Sequence, residues 1–259
     1  MQQGQEYYFD HETGNLRIKR EQQYWIGVHL EKMTRLLDLQ PEESFLDLGC
    51  GEGFYTIPLS EKTRVSLGLD FSEKALKVLK QQMSFIPVRL KLCVSSGDAL
   101  PLSDNSIDKA LSNHMLEHVA DDTRVIKELY RVLRPKGRAL IGIPISYSPQ
   151  VRLFIRLRRT FFPTSRKLEL ERYKPGVFIP ERAGVSQHVR YYSPKSLYQL
   201  LERNGFEVVT AEGVGFSLNH ATRQYVRRNR ILFSLSTTVG KLFPGIGDGI
   251  LVLAEKRTR

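Results

Sequence analysis

The chain predicts an α/β fold, a largely parallel sheet with helices on both faces. Three observations predict it. Short apolar runs alternate with amphipathic segments over most of the 259 residues. A glycine-rich turn, Gly49-Cys50-Gly51-Glu52-Gly53, follows the first run (Phe45 to Leu48) without a break. An acidic residue, Asp70, closes the second run.

The elements follow in order. Ile26, Leu30, Met33 and Leu37 recur at helical spacing, so 19–38 reads as an amphipathic helix that Pro41 ends. The first strand is 44–48. A crossover helix begins near Phe54 and is shortened by Pro58. Val65 to Leu69 is the second strand, and Ser72 is the N-cap of a helix reaching Gln81. Leu90 to Val94 and Ile107 to Ser112 are the third and fourth strands. A helix from Asp122 to Leu133 is stopped by Pro135 and Gly137, and Ala139 to Ile143 is the fifth strand. Ser193-Pro194 opens a helix that ends at Gly205. Phe206 to Thr210 and Gly249 to Glu255 are the last two strands.

One domain over 1–259 is the simplest organisation at this length. It carries an N-terminal helical cap (1–40), a basic insert or lid after strand five (145–190) and a second basic insert (217–246). The first insert holds arginines or lysines at 152, 156, 158, 159, 166, 167, 172, 174 and 182. The second holds Arg223, Arg227, Arg228, Arg230 and Lys241.

The formal charge of +11 favours an anionic partner: nucleic acid, a membrane surface or an acidic substrate. A solvated basic surface is the plain alternative. Cys50 and Cys93, the two cysteines, read as free thiols of a reducing compartment. Met1 to Asp10 has no apolar signal core, and no run approaches the ~18 residues of a spanning helix. The expectation is a cytoplasmic protein with peripheral membrane contact left open.

A glycine turn between strand and helix lets a ligand approach the backbone and aims N–H groups at it. An acidic residue about 20 positions on can accept from ribose hydroxyls. The segment therefore reads as a nucleoside-cofactor site. Its spacing is G-x-G-x-G, with Asp47 two places before the first glycine, where dinucleotide sites have G-x-G-x-x-G. An ordinary tight turn and a helix N-terminal charge are the alternatives for the separate residues.

That spacing resembles the first motif of the class I S-adenosylmethionine (SAM) methyltransferases. Four further segments resemble the same family in order: Gly97 to Leu102, Ile107 to His114, Leu133 to Leu140, and Tyr192-Ser193-Pro194 through Asn204-Gly205-Phe206. The resemblance implies a Rossmann-like seven-stranded, mostly parallel sheet with helices on both faces and the last strand antiparallel. It implies SAM as cofactor. Gly49, Cys50, Gly51 and Gly53 would shape the turn under the methionine and ribose, and Asp47 would orient it. Asp70 would hold the ribose hydroxyls, with Phe71 against the adenine. Asp98, beside Ala99, would accept the adenine amino group, and Asn113 would lie beside the methyl group.

Methyl transfer from a sulfonium is an in-line displacement, in which the protein holds the nucleophile on the C–S axis. A general base helps most when the nucleophile is a hydroxyl. His114, Glu117 and His118 are the catalytic candidates, on one face of a helical turn at i, i+3, i+4. The cluster resembles the E-x-x-E-H group of ubiquinone-biosynthesis O-methyltransferases, which binds a divalent cation. Here His114 stands where that group has its first glutamate, and no metal ligands are assigned. A structural role, a general base and metal ligation remain the three readings.

Residues 151–162 form a basic amphipathic pattern, with Arg152, Arg156 and Arg159 opposite Val151, Leu153, Phe154, Ile155, Leu157, Phe161 and Phe162. Such a helix suits an anionic membrane surface; an active-site lid is the alternative. The ubiquinone enzymes carry a membrane-contacting insert at this point. Nucleic acid is disfavoured. Tyr173, Tyr191 and Tyr192 lie near arginines, yet no RNA-binding module is appended. After strand four the chain reads Asn113-His114-Met115-Leu116, without the N-P-P-[YF] tetrad of amino-group nucleic-acid methyltransferases.

The reading is a SAM-dependent methyltransferase acting on a small or lipid-like acceptor, with O-methylation favoured. An RNA or protein methyltransferase is one alternative. A non-catalytic SAM-binding protein that docks on a membrane or a partner is another.

Overall fold

The computed structural model describes residues 20–86, 88–145, 188–215, 230–242 and 248–258. Seven strands are β1 (Ser44–Leu48), β2 (Val65–Asp70), β3 (Leu90–Val94), β4 (Ile107–Asn113), β5 (Leu133–Pro144), β6 (Phe206–Val214) and β7 (Gly249–Lys256). They form one sheet in the order β3-β2-β1-β4-β5-β7-β6. The first five pair in parallel, and β7 lies antiparallel between β5 and β6. The sheet therefore has the mostly parallel layout and the antiparallel last strand that the sequence motifs imply. The strand order reverses between β1 and β4, which opens a crevice at the carboxyl ends of the strands.

Among the described residues, six helices flank it: α1 (Arg20–Leu37), α2 (Thr56–Ser60), α3 (Glu73–Met83), α4 (Asp122–Val132), α5 (Pro194–Arg203) and α6 (Arg230–Leu242). The central strands are apolar on both faces because both faces are covered. Phe45, Leu111 and Leu140 pack with Met33, Leu36 and Leu37 of α1. Leu46, Ala110 and Ile141 point the other way, into a cluster with Ile126 and Leu129 of α4 and Leu197 and Leu201 of α5.

Polar contacts hold α1 in place. Lys109 on β4 donates to the carbonyls of Leu37 and Asp38, the exposed acceptors at the end of α1. Lys32 donates to the Gly213 carbonyl, and Arg35 pairs with Glu212.

Several boundaries differ from the sequence reading. The crossover helix starts at Thr56, not Phe54, because Gly53 turns the chain through φ +88° before it. α3 extends to Met83, beyond Gln81. Strand five begins at Leu133, directly after α4, where the sequence put helix to Leu133 and strand only from Ala139. Ile107 pairs with Leu133 and Lys109 with Arg138, so residues 134–137 bulge out of the strand. Lys136 takes φ +64° at the bulge, and a Cβ on Gly137 would sit 2.8 Å from the Arg134 carbonyl. Pro135 and Gly137 thus form a bulge inside a strand and do not stop the helix.

The caps follow their chemistry. Ser72 accepts from the Ala75 N–H, and Asp121 accepts from the Arg124 N–H. Ser193 and Ser196 form a reciprocal capping box with Pro194 at the first helical position. Residues 1–19, the helix expected at 151–162, and most of 217–246 outside α6 lie outside the described residues. α6 packs along β6.

Candidate active site

The crevice is built first by glycine. Gly49, Gly51 and Gly53 have φ of +80°, +52° and +88°, a backbone that side chains make strained, so the alternate glycines are what the turn demands. The Gly49 and Cys50 N–H groups donate to the Leu69 carbonyl at the end of β2. Around Gly51, a Cβ would meet nothing within 4 Å, so this glycine opens onto space. Gly49 and Gly97 both lie under Met115, whose side chain a Cβ at either position would strike. Met115 therefore floors the crevice between the two turns. It went unread in the sequence, where the apolar pair Met115-Leu116 between polar residues carries no periodic signal.

Asp70 ties the turn to β2. Its Oδ2 accepts from the Gly51 N–H at 2.8 Å and its Oδ1 from the Ser72 N–H at 2.8 Å. Phe71 beside it is 82% exposed, an aromatic face left on the rim. Asp98 accepts from the Ser96 hydroxyl, and its backbone carbonyl accepts from Arg124. Ala99 is exposed at the same edge. Asn113 ends β4, and its amide oxygen lies over Gly142 so closely that a Cβ there would collide with it.

Asp47 is buried beneath the turn and accepts from the Thr56 hydroxyl at 2.6 Å. Burial raises its pKa from 3.8 to about 7, the Thr56 bond opposes the rise, and Asp70 adds to it. Burial likewise pushes the Cys50 thiol up, so that cysteine stays a thiol. A stability test follows. Between the ordinary carboxylate value and about 7, the folded chain keeps a proton that the unfolded chain has released. Asp47 therefore contributes stability below that window, and the contribution is lost as pH rises through it. Asp47→Asn should remove this slope. The variant should gain on the wild type from about pH 4 to about pH 7 and hold a constant difference above. Urea unfolding of the SAM-free protein at a series of pH values measures it; parallel curves for the two proteins would refute the assignment.

After β4 the chain turns sharply. His114 adopts φ +54°, rare for a residue with a side chain, and its N–H donates to the Gly142 carbonyl at 2.8 Å. A single 3-10 turn, Leu116–His118, follows. The three catalytic candidates do not share one helical face as the spacing suggested, because the left-handed His114 breaks the helical path. His114 and Glu117 meet, Nδ1 to Oε1 at 3.1 Å. His118 turns away and packs edge-on against His188, with ring centroids 5.0 Å apart.

The segment 188–192 straps this turn. Val189 and Arg190 donate backbone N–H bonds to the Glu117 carbonyl. The Arg190 guanidinium reaches the carbonyls of Val119 and Ala120 and pairs with Asp122 at 3.3 Å. Tyr192 donates its hydroxyl to Asp122 at 2.7 Å.

A small, partly open cleft of about 60 Å³ lies at the carboxyl ends of β4 and β5. Asn113 and His114 line it with two residues the sequence reading did not select, His29 from α1 and Asp248 just before β7. Ile143, Val214, Ile250 and Leu251 supply its apolar wall. His29 was legible in principle. It lies three residues after Ile26 and four before Met33, on the apolar stripe of α1, where a buried imidazole is out of pattern.

An open, mostly parallel sheet, a left-handed triple-glycine turn and an acidic residue bonding that turn form a cradle suited to a nucleoside cofactor. Residues 46–141 match the family described as a methyltransferase domain. The chain is 29% identical over 196 residues to the demethylmenaquinone methyltransferase of Bacillus cereus (strain B4264), covering 73% of this chain and 80% of that one. It is 38% identical over 117 residues to an uncharacterized 37.1 kDa protein of transposon TN4556 from Streptomyces fradiae. That match covers 43% of this chain and spans 33% of that relative's length. The crystal structure of a putative methyltransferase from Bacillus halodurans C-125 superimposes with a TM-score of 0.62 at 17% identity, over 90% of this chain and 100% of that one. Residues 46–141 therefore carry a methyltransferase domain, and these likenesses support a SAM-dependent methyltransferase with SAM as its cofactor.

Proposed function

We propose that the protein transfers the methyl group of SAM to a hydroxyl oxygen of a small, lipid-like acceptor held in the cleft beside Asn113. The observation that carries this reading is the make-up of that cleft. Four aliphatic side chains form one wall, and His29, His114 and Asp248 converge on it, so it suits an apolar ring bearing an ionisable hydroxyl. The relative named for demethylmenaquinone methylation agrees with a quinone-like acceptor.

The residues present fit the cofactor. The glycine turn leaves open space at Gly51, and Phe71 offers an uncovered ring. When bound, SAM supplies a methyl carbon already activated by its sulfonium charge. Asp70 holds the ribose hydroxyls while fixing the Gly51 and Ser72 N–H groups. Phe71 stacks on the adenine, Asp98 takes its amino group, and Ala99 lies beside it. Asp47 braces the turn from below, with Gly49, Cys50 and Gly53 shaping it. Asn113 positions the acceptor on the C–S axis.

His114 is the base. With Nδ1–H donating to Glu117, the lone pair is on Nε2, where it would take the proton that the acceptor's hydroxyl gives up. His118 holds the strap segment and does not touch the acceptor. Among the described residues no helix is long and apolar enough to cross a membrane. Access to a lipidic acceptor instead uses peripheral contact, supported by the charge of +11, by the basic pattern of 151–162 and by the exposed Ile231 and Leu235 of α6.

The test is incubation with methyl-labelled SAM and an extract of the host, followed by solvent partition. Label in the organic phase, as an alkali-stable methyl ether, is expected. Label confined to RNA or protein would overturn the acceptor class, and label on carbon or nitrogen would overturn the methylated atom.

A further inference from the structure

We infer that Glu117, His118 and His188 form a binding site for one divalent transition-metal ion of the zinc type. The three residues come from opposite sides of the insert, yet one ligand atom from each lies within 4.8 Å of the others. Glu117 is 1% exposed, and its Oε2 is buried with no hydrogen-bond partner. A buried carboxylate oxygen without a partner is costly, so it calls for an occupant. Its other oxygen is accounted for by His114. The two imidazoles meet edge-on, and each brings a ring nitrogen within 4.8 Å of a Glu117 carboxylate oxygen.

Two imidazoles and one carboxylate are the donor set of open zinc-type sites. Imidazole nitrogen favours zinc, cobalt, nickel, copper or iron over magnesium and calcium, which want oxygen. Tetrahedral bonds of about 2.0–2.1 Å need donor atoms roughly 3.3 Å apart, so side-chain rotations closing at most about 1.5 Å complete the site. Three protein ligands leave the fourth position open.

The ligand set is particular to this chain. His114 stands at the position that the E-x-x-E-H resemblance gives to a glutamate, and it serves as the hydrogen-bond partner that orients Glu117. The third ligand arrives instead from His188, which the Val189 and Arg190 bonds to the Glu117 carbonyl hold in register. An ion here would fasten the strap at 188–192 to the turn after β4, at the rim of the cleft. This holds whether or not the acceptor is a quinone-like alcohol.

The test is titration of the metal-stripped full chain with Co(II), read as visible d–d absorption, with elemental analysis for stoichiometry. One equivalent of tightly held Co(II), displaced by Zn(II), is expected. His188→Ala and His118→Ala should each weaken uptake by more than the roughly 10–100-fold typical of outer-shell losses. His114→Ala should keep the bands with weaker affinity. Zn(II) should raise the melting temperature of the wild type but not of His188→Ala, each compared with its own metal-free form, which separates metal binding from a fold defect. Failure of the wild type to take up one equivalent, or wild-type uptake by His188→Ala, would overturn the site. Neither outcome depends on methyl transfer.

Discussion

Asp70→Ala should reduce SAM affinity by at least about 100-fold, near 3 kcal/mol, the value of one or two hydrogen bonds to a charged group. Two losses add. The ribose hydroxyls lose their acceptor, and the Gly51 N–H loses the 2.8 Å bond that sets the left-handed turn. Asp70→Asn separates them. Its amide oxygen can still take one backbone N–H while offering no charge to the ribose, so it should fall between Ala and the wild type. Isothermal titration with SAM and with its demethylated product measures both variants. Unchanged SAM affinity in Asp70→Ala would remove Asp70 from the cofactor site. The chain should remain folded, because Asp70 caps a turn and its neighbours Leu67 and Leu69 keep their packing.

Arg190→Ala should destabilise the fold by about 3–5 kcal/mol, the usual result of leaving one member of a buried pair alone. Arg190 and Asp122 have side chains only 5% and 10% exposed, so the Asp122 carboxylate would be left buried without its cation. The carbonyls of Val119 and Ala120 lose their donor in the same step. Tyr192→Phe should cost less, roughly 1–2 kcal/mol, because Arg190 still neutralises Asp122. Urea unfolding at neutral pH reads both. A loss below about 1 kcal/mol in Arg190→Ala would show that the strap is held by packing alone.

The glycine turn and its bond to Asp70 were legible because they are built locally. Three glycines at alternate positions, an aspartate two places before them and another at the end of the next strand all come from contiguous chain. Ser72, Ser193 and Pro194 were legible as caps for the same reason. His188 was not, because its partner His118 lies on the far side of the long insert and nothing in the spacing joins them. Glu117, His114 and His118 were found as a group, but helical spacing assumed an unbroken helix and the left-handed His114 broke it. The bulge at 134–137 was misread because proline and glycine stop helices more often than they kink strands. In that case the pairing of Leu133 with Ile107 decided the matter, and pairing is not written in either segment alone.

Ile145 and Tyr192 lie side by side, bridged in parallel, and the Ile145 N–H also donates to the Asp248 carbonyl. The chain thus leaves the sheet and returns to it at a single knot. Whatever lies between the two ends closes a loop whose entropic cost grows slowly, about 0.6 kcal/mol for each doubling of length. The segment 146–187 is in this sense a cassette. Its length can vary at little entropic cost to the sheet on either side of it.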